Sequence, residues 1–185
     1  MSTTPPTEDR QLFQMAYLVN DLEASIQRWS DLFGAGPFVV TRHHKTDRFM
    51  YRGTSQEADV SYAFGYLGDM MIQFIQQHDE TPSIYRDMYA PGVEGYHHLA
   101  YLVHDFEAEY QRLIDQGFEP ACRLYADGVD AAYFDTRSVH GGFTEIHGDP
   151  PRILAAFAQW RRAHTLYRPG IDPVIMARPD KTPPR

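Results

Sequence analysis

The sequence predicts an α+β protein in which two tandem βαβββ modules form one curved mixed sheet around a cleft, followed by a C-terminal helix. Three observations carry this expectation. Residues 11–29, QLFQMAYLVNDLEASIQRW, and residues 95–113, GYHHLAYLVHDFEAEYQRL, read as copies of one segment at an offset of 84. Each copy passes from a compact apolar run, suited to a buried strand, into apolar positions at helical spacing. Each is then followed by three strand-like runs separated by turn residues.

The repeat is dense. Aligning Gln14 with His98 places Ala16, Tyr17, Leu18 and Val19 on the identical Ala100, Tyr101, Leu102 and Val103. Asp21 falls on Asp105, and Glu23, Ala24, Gln27 and Arg28 fall on Glu107, Ala108, Gln111 and Arg112. The aspartates sit where N-caps belong, able to accept orphan N–H groups of the first helical turn. The first helix then shows Leu22, Ile26, Trp29 and Phe33 at helical spacing and stops at Gly34. The second shows Phe106, Tyr110, Leu113 and Ile114 and stops at Gly117.

The expected strands after the first helix are 37–44, 58–68 and 69–77, and after the second 118–125, 129–137 and 141–148. The modules therefore span 11–77 and 95–148, joined by a connection over 78–94. Residues 149–175 are expected as a helical extension. It is started by Pro150-Pro151 and carries an apolar stripe of Ile153, Leu154, Phe157 and Trp160. Residues 1–10 and the proline-rich 176–185 are expected as a flexible terminus and a loose tail.

Composition narrows the function. A formal net charge of −8 and a pI near 5.5 argue against nucleic acid or an anionic membrane as partner. The single cysteine, Cys122, excludes an internal disulfide and a cysteine-based zinc site. No signal-like pattern opens the chain and no apolar run is long enough to span a membrane, so the expected location is cytoplasmic.

Strand alternation singles out four polar residues. Gln14 and His98 stand at equivalent places on the first strands, and Gln73 and Glu145 at corresponding places on the last. If one face of the sheet lines the cleft, these four reach a common depth inside apolar surroundings, where unpartnered polar groups are costly. A divalent ion would satisfy all of them. One imidazole, one carboxylate and two carboxamides suit Zn, Ni, Co, Mn, Fe or Mg.

Two βαβββ modules with candidate ligands on their first and last strands resemble the vicinal oxygen chelate superfamily. That group includes glyoxalase I, methylmalonyl-CoA epimerase, extradiol dioxygenases and bleomycin-resistance proteins. The resemblance covers roughly residues 11–148 and is most specific in HHLAYLVHDFEA, residues 97–108. It places the family's metal ligands on Gln14, Gln73, His98 and Glu145. Gln14 departs from the commoner histidine, and Gln73 is similar to the glutamine of the epimerase. Only one histidine occupies a ligand position, which disfavours the two-His, one-carboxylate chemistry of the dioxygenases.

What the resemblance implies is a metal-dependent isomerase, epimerase or lyase acting on a small carbonyl substrate through a metal-stabilised enolate. Glu145 is then ligand and candidate base. His147, two residues along the same strand, and His140, on the preceding loop, are further candidates for proton transfer. The alternative is a binding protein of the bleomycin-resistance kind, since glutamine is a weak ligand and the chain has 12 Tyr and 11 Phe to line a cleft. Of these, Phe38, Tyr62, Phe64 and Tyr133 fall on module strands. A cluster of Arg42, Lys45, Arg48 and Arg52 could meet a substrate anion. A homodimer is an expected assembly, as in the resembled family.

Overall fold

The computed structural model describes residues 10–178, with side chains through Val174. The first module contains β1 (Arg10–Leu18), α1 (Leu22–Phe33), β2 (Phe38–His44), β3 (Arg48–Tyr51), β4 (Thr54–Ser55), β5 (Val60–Leu67) and β6 (Met70–Gln77). A connection bearing the short helix α2 (Ile84–Met88) leads to β7 (Gly95–Val103), α3 (Phe106–Asp115), β8 (Pro120–Ala126), β9 (Val129–Phe134), the single turn α4 (Arg137–His140) and β10 (Phe143–Gly148). The last described elements are α5 (Pro151–Leu166) and β11 (Val174–Arg178).

Both long module helices begin as the sequence requires. The Asp21 side chain accepts from the Ala24 N–H at 2.9 Å and the Asp105 side chain accepts from the Ala108 N–H at 3.0 Å. Gly34 ends α1 in the left-handed region at φ 73°, where a side chain would strain the backbone.

The described strands join one sheet in the order β11-β2-β5-β6-β1-β7-β10-β9-β8-β3-β4. Within each module the first strand pairs parallel with the last: β1 with β6, and β7 with β10. The modules meet where β1 runs antiparallel to β7. The convex face is covered by α1 and α3, whose apolar faces pack on residues such as Phe38, Phe74 and Ile72 in one module and Phe134 and Ile146 in the other. The concave face has its own core. One end is plugged by Ile84 and Tyr85 of α2 and by Phe49, and the other is covered by Trp160 and Phe157 of α5.

Several elements differ from expectation. The β3–β4 hairpin leaves the first module and pairs with β8 of the second, Arg48 opposite Tyr125 through Tyr51 opposite Cys122. RFMY is too short, and its flanks too polar, to announce a strand locally. The strand expected over 129–137 ends at Phe134, because Thr136 and Arg137 turn into α4. The expected loose tail is corrected in part. Residues 176–178 belong to β11, which runs parallel to β2, so the stretch 174–175 is strand rather than helical extension. Arg10, at the end of the expected flexible terminus, already belongs to β1. Residues 1–9 and 179–185 lie outside the described residues.

Candidate functional site

The site is set by register. Across the β1–β7 junction, Gln14 pairs with Ala100 and Ala16 with His98, a reciprocal exchange that reflects the repeat. Toward the last strands, Ala16 pairs with Gln73 and Ala100 with Glu145. Each long polar side chain therefore neighbours a fully buried alanine, and the small alanines leave room for four tips to lean together. The parity of strand residues puts all four on the concave face.

The tips meet there. The Gln14 Nε2 group donates to Gln73 Oε1 at 2.7 Å and lies 3.3 Å from His98 Nε2. His98 Nε2 is 2.8 Å from Glu145 Oε2. All four residues are buried, His98 completely. The close approach of His98 and Glu145 has the length of an ion pair, yet neither charge is favoured. Burial lowers the His98 pKa to about 3, with His140 adding to the effect. Burial raises the Glu145 pKa to about 7, against the opposing pull of His147 and a Tyr133 hydrogen bond. Desolvation outweighs mutual attraction here. Glu145 Oε2 accepts no hydrogen bond and is an orphaned buried acceptor.

A cavity of about 190 Å³ opens above this group. Gln14, Gln73 and Glu145 form its floor, Tyr62, Phe64 and Tyr133 part of its wall, and Phe157 and Trp160 of α5 its cover. Phe38, the fourth strand aromatic weighed for this role, packs instead under α1 on the convex side. Arg152, in the first turn of α5, lies at the rim.

His147 also lines the cavity, two residues along β10 from Glu145. Its Nδ1 lies 2.6 Å from the Gly148 carbonyl, which can only accept, so Nδ1 is the donor there. Its ring is held between Phe13 and Phe157. His140 does not line the cavity. Its Nε2 lies 3.1 Å from the hydroxyl of Thr144, whose side chain projects from the face of β10 opposite to Glu145, and its Nδ1 meets the Tyr96 hydroxyl at 3.1 Å. Of the expected basic cluster of Arg42, Lys45, Arg48 and Arg52, the three arginines meet carboxylates of the chain: Arg42 pairs with Glu23, Arg48 with Asp130, and Arg52 with Asp87 and Glu119.

Two residues at the site escape sequence reading. His97 sits beside a predicted ligand, and alternation argues that it points away from the cleft. Arg152 is legible only as the start of a helix, with nothing to say what the helix covers.

The buried histidines set a pH dependence. His97 and His98 have folded pKa values near 3, below the 6.5 of a free imidazole, so their contribution is full above 6.5 and is lost as pH falls toward 3. Glu145, raised from 4.5 to about 7, acts oppositely and loses its contribution as pH rises through that window. Between pH 6.5 and 4.5 two groups oppose one, and acidification destabilises. Chelator-treated protein is therefore expected to melt lower at pH 5 than at pH 6.5; an unchanged or higher melting temperature would refute this balance.

Comparison with known proteins gives a consistent picture. Residues 13–134 match the model of the Glyoxalase/Bleomycin resistance protein/Dioxygenase superfamily. No curated protein sequence matches significantly. Among solved structures, a hypothetical protein from Bacillus halodurans superposes with a TM-score of 0.55 at 18% identity, covering 76% of this chain and 95% of that one. Methylmalonyl-CoA epimerase from Mycobacterium tuberculosis gives 0.53 at 19%, covering 78% and 91%. The Streptomyces coelicolor epimerase, as a single-site variant in complex with 2-nitronate-propionyl-CoA, gives 0.52 at 18%, covering 75% and 96%. At these identities the likeness is one of fold. Among the described residues no helix is long and apolar enough to cross a membrane.

Proposed function

The chain belongs to the glyoxalase/bleomycin resistance protein/dioxygenase superfamily, and from that premise we propose that it is a metal-dependent isomerase, epimerase or lyase that moves a proton next to the carbonyl of a small substrate. The observation that carries this reading is a chain of contacts at the floor of the cavity, in which the Gln14 carboxamide meets Gln73 Oε1 and His98 Nε2, and His98 Nε2 meets Glu145 Oε2. His98 Nε2 and Glu145 Oε2, 2.8 Å apart, must share either a proton or a cation, and a divalent ion can take that place. With the Gln14 amide turned end for end, its Oε1 completes an N/O set of four. The spacings of 2.7–3.3 Å match the roughly 3 Å edge of a ligand shell with bonds of about 2.1 Å. The residues present therefore fit a divalent ion, held by Gln14, Gln73, His98 and Glu145.

Such an ion supplies positive charge to a substrate oxygen that becomes an enolate. The chain's own groups supply the rest. His147 and the Glu145 carboxyl both line the cavity, where either can hold or move a proton at the substrate. Phe157 and Trp160 exclude water from above. Arg152 makes no ion pair among the described residues, unlike most arginines of this acidic chain, so it suits a substrate bearing a carboxylate or phosphate near the carbonyl.

The test is proton exchange in deuterated water, followed by NMR, on methylmalonyl-CoA and on the methylglyoxal–glutathione hemithioacetal. Protein supplied with Co, Ni, Zn or Mn is expected to exchange the proton next to the carbonyl of at least one of them, and chelator is expected to stop it. Absence of exchange with every metal, together with no thermal stabilisation by any, would overturn the reading. One observation favours a second reading, a binding protein without turnover. Among the described residues no group of three or more His, Cys, Asp or Glu is placed to hold a metal, so half of the proposed set is neutral amide. In that case aromatic ligands stabilise the protein with no metal requirement.

A further inference from the structure

We propose that His97 is a positioning residue that fixes the tautomer of His98, so that His98 always presents a bare Nε2 to the floor of the cavity. The inference rests on the reading of that floor as a metal site, but the geometry behind it is independent of any ion.

His97 and His98 are adjacent on β7, and regular alternation would point them to opposite faces. The register prevents this. Ala16 pairs with His98 and the next residue, Tyr17, pairs with Tyr96, so His97 is an extra residue without a partner on β1. This bulge turns both rings toward the concave interior. His97 is completely buried there, stacked on Phe143 and tilted against Tyr85.

A one-way chain of donors runs through the pair. The Ile84 carbonyl lies 3.2 Å from His97 Nε2 and can only accept, so His97 carries its proton on Nε2. A neutral imidazole has one N–H, so His97 Nδ1 is an acceptor. His98 Nδ1 is 2.8 Å away and must therefore be the donor. That leaves His98 Nε2 without a proton, and the far end of the chain agrees. With no ion bound, the Gln14 carboxamide turns its Nε2, which can only donate, toward His98 Nε2 at 3.3 Å. Glu145 Oε2, 2.8 Å from His98 Nε2, then faces a lone pair rather than an N–H.

The anchor of the chain is itself held. Ser83 caps α2 by accepting from the Tyr85 and Arg86 N–H groups and donates to Gln77 Oε1 at 2.7 Å. The connection between the modules thus supplies the carbonyl that sets the chemistry of a ligand on β7. Outer partners of this kind raise the basicity of a ligating histidine and typically change metal affinity by about 10–100-fold.

The experiment is 15N NMR of metal-free full-length protein labelled at histidine, which reads the protonation of each ring nitrogen. The expected result is a protonated Nδ1 on His98 and a protonated Nε2 on His97. A proton on His98 Nε2 overturns the proposal. His97→Phe removes the acceptor and is expected to mix the His98 tautomers and to weaken cobalt binding by about 10–100-fold. His97→Asn, whose Oδ1 can replace Nδ1, is expected to restore both. An unchanged His98 tautomer in His97→Phe also overturns the proposal, and should that variant not fold, the wild-type spectrum still decides. If the tautomers are as stated and no divalent ion binds, the metal reading fails and the positioning role stands.

Discussion

Glu145→Gln is expected to leave the fold intact while abolishing both stabilisation by divalent ions and proton exchange. The substitution preserves volume and hydrogen-bonding shape. It removes a carboxyl whose charge burial already disfavours, as its pKa near 7 shows. The metal-free variant should therefore melt at or above the wild type. The loss falls on binding. In the wild type, an ion at one hundred times its dissociation constant adds about 2.7 kcal/mol. For a domain of this size that is a rise of about 5–10 °C in melting temperature. With the only acidic ligand replaced, three amides and one imidazole remain, a set with no negative charge to hold a hard cation. Turnover should fall by about 10²–10⁴, the range typical of a lost acid–base group, or further if the ion is lost with it. A variant that still gains several degrees from the metal stabilising the wild type would remove Glu145 from the site.

Why these four residues are legible is a matter of periods. The repeat aligns Gln14 with His98, and the two-residue period of strands carries Gln73 and Glu145 onto the same face. Neither step needs tertiary information. The paired alanines at 16 and 100 lie inside the repeated segment itself, so the space for the polar tips is written there too. What stays hidden depends on partners distant in sequence. The bulge at His97 exists only in the register between β1 and β7, and nothing in GYHHLAYLV marks it. The β3–β4 hairpin is recognisable only once β8 is beside it. The surroundings of His140 are hidden from a linear reading because the turn α4 decides which side chains it meets, Tyr96 and Thr144 among them. The pairing of the cluster's arginines is hidden for the same reason, since their ion partners Glu23, Asp87, Glu119 and Asp130 lie elsewhere in the chain.

The extension beyond the modules carries the second large effect. The family match ends at residue 134, before α5, yet α5 supplies the cover of the cavity. Trp160→Ala is expected to cost about 3–5 kcal/mol, the range for removing a buried large aromatic. Trp160 is 5% exposed, stacked on Phe64 at 5.9 Å and tilted against Phe157 at 5.4 Å, within the cluster that includes Phe13, Met71 and Ala100. Set against a total of about 5–15 kcal/mol, that is a large fraction, and the melting temperature should fall by about 6–20 °C. Leu154→Ala, on the same helix but 40% exposed, should cost well under half as much. The two outcomes together test the docking of α5: equal, small effects would mean that the helix does not cover the concave face. If the effects differ as expected, Trp160→Ala should also increase binding of an apolar dye. Phe64 lines the cavity wall directly beneath the lost indole, so removing the indole exposes the wall before it disturbs the convex-side cores held by α1 and α3.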